Sequence, residues 1–373
     1  MIVKGHRVYR GAQSAGSRLP GVLLFIVVFL FLAGLMAFSL LPQYLVYHRE
    51  GVEMIVPMLE EDGQGYSIVG IDGPAPYGSE VHAEVRVAEP DYSYVNLTNL
   101  NGMNYLNGYI VPFGKVTENG LDSAVKEAQR SLSGLGVKGL VLEMKDESGR
   151  LAWMSNVAMA SSYGANSSWD PQAALAELKA DGWYLAAKVS CSVDTLLATR
   201  NPGFALRDAS GGVYTDGNGS WVDLWNRDVR QYVVDLCADL YDIGFDEVIL
   251  THVEHPVNNV SYTRQIAANL NREAYVMNFS IAVRRGLDKV LSGSNRLDAQ
   301  LSHDVLTVGT SNGQELETML RVYDRVVILT GTYSEDAPIF TGLHYDSTLR
   351  FVPQMTWGFG GGSWILDPNA PAG

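Results

Sequence analysis

The residues best able to do chemistry cluster where apolar runs give way to polar ones. One run, Glu247-Val-Ile-Leu-Thr-His-Val253, opens into Glu254-His-Pro256, and another, Val137 to Asp146, ends Glu143-Met-Lys-Asp. Glu143, Asp146 and Glu254 are the carboxylates available as catalytic acid, base or nucleophile. Glycoside hydrolysis needs two such groups roughly 5 to 9.5 Å apart with one kept protonated. Lys145 and Lys188 fall beside Glu143 on adjacent strands. Because each charge needs a partner once it leaves water, the trio reads first as a buried ion-pair network. The two ammonium groups would hold Glu143 ionised, which suits a nucleophile and not an acid.

His252 and His255 flank Glu254, but strand neighbours face opposite ways and no third ligand is evident, so neither a metal nor another cofactor is expected. Trp153, Trp169, Trp221, Trp225 and Tyr333 fall at or beyond strand ends, where flat rings stack on sugars or pack a lid equally well. With Asp223, Thr251 and Gln300 from the same ends, the expected ligand-binding set is Lys145, Trp153, Lys188, Trp221, Asp223, Thr251, His252, Gln300 and Tyr333. No Gly-x-Ser-x-Gly elbow or dinucleotide-binding glycine fingerprint is present.

A helix that feeds an apolar strand, which then opens into a polar loop, is the repeat of a parallel sheet covered by helices, with ligands at the carboxyl ends of its strands. Val229, Tyr232, Val233, Leu236, Cys237, Leu240 and Tyr241 recur at helical spacing, and Gly244 closes that helix. Strands are expected at Tyr109–Phe113, Val137–Asp146, Trp183–Ser192, Glu247–Val253, Leu297–Ser302, Arg325–Thr330, Thr348–Met355 and Ser363–Leu366. Helices are expected at Gly120–Leu132, Pro171–Ala180, Thr263–Leu291 and Gln314–Val322. This order predicts an α/β fold, a TIM-like (β/α)8 barrel with shortened last units, since Gly358-Phe-Gly-Gly-Gly362 cannot hold a helix. Strand alternation then points Glu143, Lys145, Lys188, Ser190, Ile249, Thr251, Asp298 and Gln300 inward, and Leu142, Met144, Leu185, Ala187, Val189, Val248 and Leu250 toward the helices.

Of 373 residues, 47% are hydrophobic and 18% charged, the balance of a globular chain. No charged side chain falls between Arg18 and His48, and Gly21–Leu41 is long enough to cross the ~30 Å hydrocarbon layer. The run exceeds a signal-peptide core and no clear cleavage site follows it, so it reads as a single anchor. Lys4, Arg7, Arg10 and Arg18 keep the N-terminus cytoplasmic and the rest extracytoplasmic, at the cell membrane. The expected organisation is a basic tail at 1–20, a transmembrane helix at 21–42, a small β-rich stalk at 51–105 and a barrel at 106–373. Residues 51–373 carry 22 basic and 40 acidic side chains, a balance of −18 that argues against nucleic acid and anionic lipid headgroups as partners. Cys191 and Cys237, at the end of a strand and late in the helix that returns from it, are expected as free buried thiols.

Three segments in order then resemble the glycosyl hydrolase domain of bacterial exported proteins, a family related to the α-amylase-type barrels. They are Gly139-Leu-Val-Leu-Glu-Met-Lys-Asp-Glu-Ser-Gly-Arg, Asn201-Pro-Gly-Phe-Ala-Leu-Arg-Asp with Trp221-Val-Asp-Leu-Trp-Asn, and Gly244-Phe-Asp-Glu-Val-Ile, within about 109–366. The resemblance implies a barrel acting on or binding carbohydrate. It departs from the pattern at the chemistry: Thr251-His-Val-Glu-His-Pro256 stands where the family reads Asp-Tyr-Val-Arg-Phe-Pro, and Gln300 takes an acidic position. The expectation is a membrane-anchored barrel that has lost hydrolase chemistry and binds an envelope glycan or another cell-envelope component. The alternative is an active glycosidase with relocated carboxylates.

Overall fold

The computed structural model describes residues 45–48, 51–54, 95–257, 272–291, 293–306, 311–331, 346–356 and 361–369. The apolar run at 21–41, most of the stretch 51–105, Tyr333 and most of the glycine-rich loop before Gly362 lie outside these residues. Among the described residues no helix is long and apolar enough to cross a membrane.

The chain divides into two compact units, Met1–Glu61 and Asp62–Gly373. In the first, β1 (Leu45–His48) and β2 (Gly51–Met54) form an antiparallel pair, with Leu45 opposite Met54 and His48 opposite Gly51.

The second unit is a closed barrel of eight parallel strands. They are β3 (Asn107–Val111), β4 (Gly139–Lys145), β5 (Tyr184–Ser190), β8 (Glu247–Thr251), β9 (Arg296–Leu301), β10 (Val326–Gly331), β11 (Phe351–Met355) and β12 (Trp364–Leu366), and β12 pairs with β3 to close the ring. A small hairpin, β6 (Thr215–Asp216) with β7 (Gly219–Ser220), rises from the long loop after β5. All eight strands expected from the sequence form. The connection 356–363 between β11 and β12 is shorter than an ordinary crossover helix needs.

The helices cover the outside because their apolar positions recur on one face. In α1 (Leu121–Ser131) these are Leu121, Ala124 and Ala128. The others used below are α2 (Ala158–Tyr163), α3 (Gln172–Ala180), α4 (Thr195–Arg200), α5 (Arg227–Asp242) and α6 (Arg272–Gly286). In α5, Asn226 accepts from the Asp228 amide at 2.9 Å to cap the first turn, and all seven apolar residues expected to face inward are buried. The long helix expected at Thr263–Leu291 is seen as α6, its earlier part lying outside the described residues.

Alternation along the strands produces two cores. Ile110, Val141, Ala186, Ile249, Val327, Val352 and Ile365 fill the barrel interior. Leu140, Leu142, Leu185, Ala187, Val248 and Leu250 pack outward against the helices. Full burial of each such side chain contributes about 1.5–3 kcal/mol, so a slip of one residue in any strand would exchange the two sets at great cost. Gly139 is required where β4 passes β3, since a Cβ there would lie 2.1 Å from the Asn107 carbonyl oxygen. Cys191 and Cys237 are free and buried, and burial lifts the Cys191 thiol to about 12.

Polar side chains seal the barrel base. Arg325 donates to both oxygens of Glu247, at 2.9 and 3.0 Å, and the Tyr184 hydroxyl donates to the same carboxylate at 2.5 Å. Burial opposes the charge on Glu247, but Arg325 keeps it ionised, below the ordinary carboxylate range. Burial and the charge of Glu247 push Asp298 the other way, well above that range. Protonated Asp298 can donate to Glu247, which gives its otherwise unpaired Oδ2 a role.

Candidate functional site

The opposite, carboxyl end of the barrel is polar and open. A bulge interrupts the β4–β5 ladder there: Glu143 pairs with Lys188, but Lys145 pairs with Val189. The bulge separates the two β4 residues expected to act together. Glu143 stays at the mouth, where its Oε2 accepts from the Phe113 amide at 3.0 Å and its Oε1 lies 3.8 Å from Lys188 Nζ. Lys145 instead meets Asp194 at 3.0 Å and the Ser190 carbonyl at 2.7 Å, both ionic side chains almost wholly buried. It is a structural cation and does not face a ligand. Asp194 also caps α4 through the Leu197 amide at 2.8 Å. Gly149 packs so closely on it that a Cβ would come within 2.0 Å of its Oδ1.

Lys188 is buried at the centre of the mouth. Burial pushes its amine below the ordinary lysine range, against the pull of Glu143, Asp367 and Glu147. Its Nζ donates to Gln354 Oε1 at 3.3 Å, and Gln354 Nε2 donates to Asp367 Oδ2 at 2.7 Å.

His252 forms the second cluster, just past β8. It is the non-glycine residue held at positive φ among those described, at 52°. That turn lets its ring bridge two carboxylates: Nε2 lies 3.1 Å from Glu147 Oε1, and Nδ1 lies 3.3 Å from Glu254 Oε1. Burial opposes the ring's charge, but the bonds to Glu147 and Glu254 outweigh it and raise His252 to about 9. The same bond to His252 holds Glu147 down at about 2. Glu254 Oε2 also accepts from Asn312 Nδ2 at 3.0 Å. His255, by contrast, is buried against Tyr275, donates from Nδ1 to the Pro256 carbonyl at 2.6 Å, and is pushed by burial down to about 4. Two histidines three residues apart are thus shifted in opposite directions.

The remaining expected residues divide. Thr251 ends β8, with its carbonyl accepting from the Cys191 amide at 3.0 Å, and Gln300 on β9 has an Oε1 without a partner among the described residues. Trp221 meets His252 edge-on at 6.5 Å, with its Nε1 unpaired among the described residues. Trp153 does not reach the mouth: it is fully buried beneath the helices and donates to Asp239 of α5 at 2.8 Å. Asp223 is a loop brace, accepting from the Trp225 amide at 2.9 Å and the Tyr275 hydroxyl at 3.0 Å. Asp146 caps its own turn, accepting from Ser148 at 2.6 Å and the Arg150 amide at 3.2 Å. Tyr333 lies outside the described residues.

Sequence reading passed over Glu147, Asp194, Asn312, Gln354 and Asp367. Alternation was a usable signal for Gln354 and Asp367, which follow the inward Val352 and Ile365 by two residues, whereas Glu147 lies past the β4 bulge that breaks the pattern. Asn312 and Asp194 come from loops that no strand pattern reaches.

The two distances to the imidazole put the Glu147 and Glu254 oxygens no more than roughly 9 Å apart, an upper bound that reaches into the about 6.5–9.5 Å separation of inverting glycosidases. Spacing is therefore available, but both carboxylates are bound to one imidazolium whose two N–H groups are occupied. Glu147, held down at about 2, does not keep the proton that a catalytic acid must.

A family model described as "Putative glycosyl hydrolase domain" matches residues 116–328. Among solved structures, a hypothetical protein from Ruminiclostridium thermocellum is 21% identical, with 51% of this chain and 96% of that one covered and a TM-score of 0.44. The galactosidase domain of an α-galactosidase-sucrose kinase is 12% identical, covering 72% of this chain and 38% of that one, with a TM-score of 0.47. An α-galactosidase from Thermus thermophilus is 13% identical, covering 69% and 47%, with a TM-score of 0.40. The chain thus spans less than half the length of the two galactosidase chains. No curated protein matches it.

Proposed function

Since the chain belongs to this glycosyl hydrolase domain family, we propose that its barrel binds glycan without cleaving it. The observation that carries this reading is the His252 imidazolium held between Glu147 and Glu254. Hydrolysis needs one carboxyl group that keeps its proton near the leaving oxygen and a second that is ionised. At this mouth Glu147 and Glu254 share a cation, Glu143 lies beside Lys188, and Asp367 accepts from Gln354. The strand-end positions of β8 and β9 offer a hydroxyl and an amide, Thr251 and Gln300, which hydrogen-bond sugar hydroxyls but transfer no proton at neutral pH.

In the wider proposal, Gly21–Leu41 anchors the barrel on the outer side of the cell membrane and the ligand is an envelope polysaccharide. The second reading, an inverting glycosidase, draws on the separation of Glu147 and Glu254. Incubating the purified full chain with an array of bacterial envelope polysaccharides, and assaying every well for binding and for new reducing ends, separates the two. Saturable binding with no new reducing ends is expected. Release of reducing ends that Glu254→Gln abolishes would establish the glycosidase instead.

A further inference from the structure

Beside the His252 clamp, between the β8 loop, the β6–β7 hairpin and the end of β9, lies a pocket of about 220 Å³. It has room for one pyranose ring and its substituents. Its walls include Asp216, Trp221, Glu254, His255, Asp304 and Asn312. Three of these six are carboxylates, and none is a lysine or arginine. The one imidazole among them, His255, is neutral near pH 7 because burial holds it at about 4.

Among the described residues two cations stand close by and are already engaged. His252 bridges Glu147 and Glu254, and the Arg272 guanidinium donates to the carbonyls of Ser311 and Val257. Counting Glu147, four carboxylates face two cations among the described residues, so a ligand entering here meets a negative field from them. The second observation is Trp221, almost fully buried and lining the same pocket, whose Nε1 has no acceptor among the described residues. A buried indole N–H without an acceptor leaves a hydrogen bond for an incoming oxygen to complete. The pocket therefore combines an unused donor with an excess of anionic acceptors among the described residues. Neutral sugars would use the donor, and a sugar bearing a protonated amine would use both.

We infer that this pocket selects a glycan carrying a free primary amine, such as a de-N-acetylated hexosamine residue. The inference rests on the glycan-binding reading and narrows it. A sugar ammonium donates three N–H bonds to the carboxylate side of the pocket, while its ring hydroxyls reach Trp221 Nε1 and Asn312. Acetylating the amine removes the charge and replaces its donors with a single amide N–H.

The test is calorimetric titration of the full chain, at mildly acidic pH, with glucosamine oligosaccharides, their N-acetylated counterparts, neutral cello-oligosaccharides and spermidine. Glucosamine oligomers are expected to bind about tenfold or more tighter than the acetylated ones, because charge-assisted hydrogen bonds are roughly twice as strong as neutral ones. Binding should weaken with added salt. Asp304→Asn and Asp216→Asn, substitutions at solvent-accessible side chains, should each weaken it roughly threefold to tenfold, and Trp221→Phe should weaken both kinds of oligomer. Equal affinity for acetylated and free-amine oligomers would overturn the inference, as would indifference to both aspartate variants. Spermidine competing as well as glucosamine oligomers would overturn it too, since charge alone would then suffice. Binding of neutral oligomers only would overturn the inference and leave the glycan-binding reading standing. Silence toward every oligosaccharide here, together with silence on the polysaccharide array, would remove both.

Discussion

At the base of the barrel a guanidinium meets a carboxylate with almost no water present, the two side chains being 2% and 0% exposed. At the mouth an imidazolium meets two carboxylates that are 47% and 20% exposed. Both place opposite charges at hydrogen-bonding distance. Burial decides what each can do. At the base no water can replace a lost partner, so Arg325, Glu247, Asp298 and Tyr184 act as a plug and fix the strand register. At the mouth water competes for every contact, so the pairs contribute little to stability and their oxygens remain accessible to a ligand.

The largest expected effect tests the base. Arg325→Met leaves Glu247 buried without its cation and should destabilise the fold by about 3–5 kcal/mol in urea unfolding. Glu147→Gln at the mouth should change stability by no more than about 1 kcal/mol. Equal losses at the two ends would break the distinction.

The tryptophans sharpen the contrast on a smaller scale. Trp153→Phe removes the hydrogen bond to Asp239 and some buried volume, and should cost about 1–3 kcal/mol without changing glycan affinity. Trp221→Phe also removes buried volume but breaks no hydrogen bond among the described residues, so it should cost less stability than Trp153→Phe while weakening binding. A Trp153 variant that binds glycan less well at unchanged stability would return that residue to the mouth.

The smallest effect is in the pH dependence, where two histidines of one loop pull oppositely. His252 is held at about 9 against an ordinary 6.5, so its contribution is complete below pH 6.5 and is lost as pH rises toward 9. His255 is held at about 4 against 6.5, so its contribution is complete above pH 6.5 and is lost as pH falls toward 4. Together they place a stability maximum near pH 6.5, which thermal unfolding across that range would locate. His252→Gln should flatten only the alkaline arm.

These differences were unevenly legible in the sequence. The eight strands and their inward faces followed from alternation and helical spacing, because each strand buries one face in the barrel interior and one beneath helices. Glu143, Lys188, Thr251 and Gln300 were placed inward by that rule. Lys145 was placed inward by the same rule, but a bulge turns it to Asp194, and bulges leave no mark in a hydrophobic pattern. Trp153 was misplaced because an aromatic just beyond a strand end looks the same whether it turns outward or folds back beneath the helices. The clamp was invisible for a third reason. It depends on His252 adopting positive φ, a conformation that nothing in Thr-His-Val-Glu-His demands.

The claim on which the account depends is that Glu147 and Glu254 are both held by the His252 imidazolium. NMR titration of the His252 ring in the full chain measures this directly. The account predicts that the ring stays charged up to about pH 9, with Glu147→Gln and Glu254→Gln each moving the transition downward. A ring that titrates near the ordinary 6.5 and ignores both substitutions would show the clamp open, free both carboxylates for catalysis, and contradict the account.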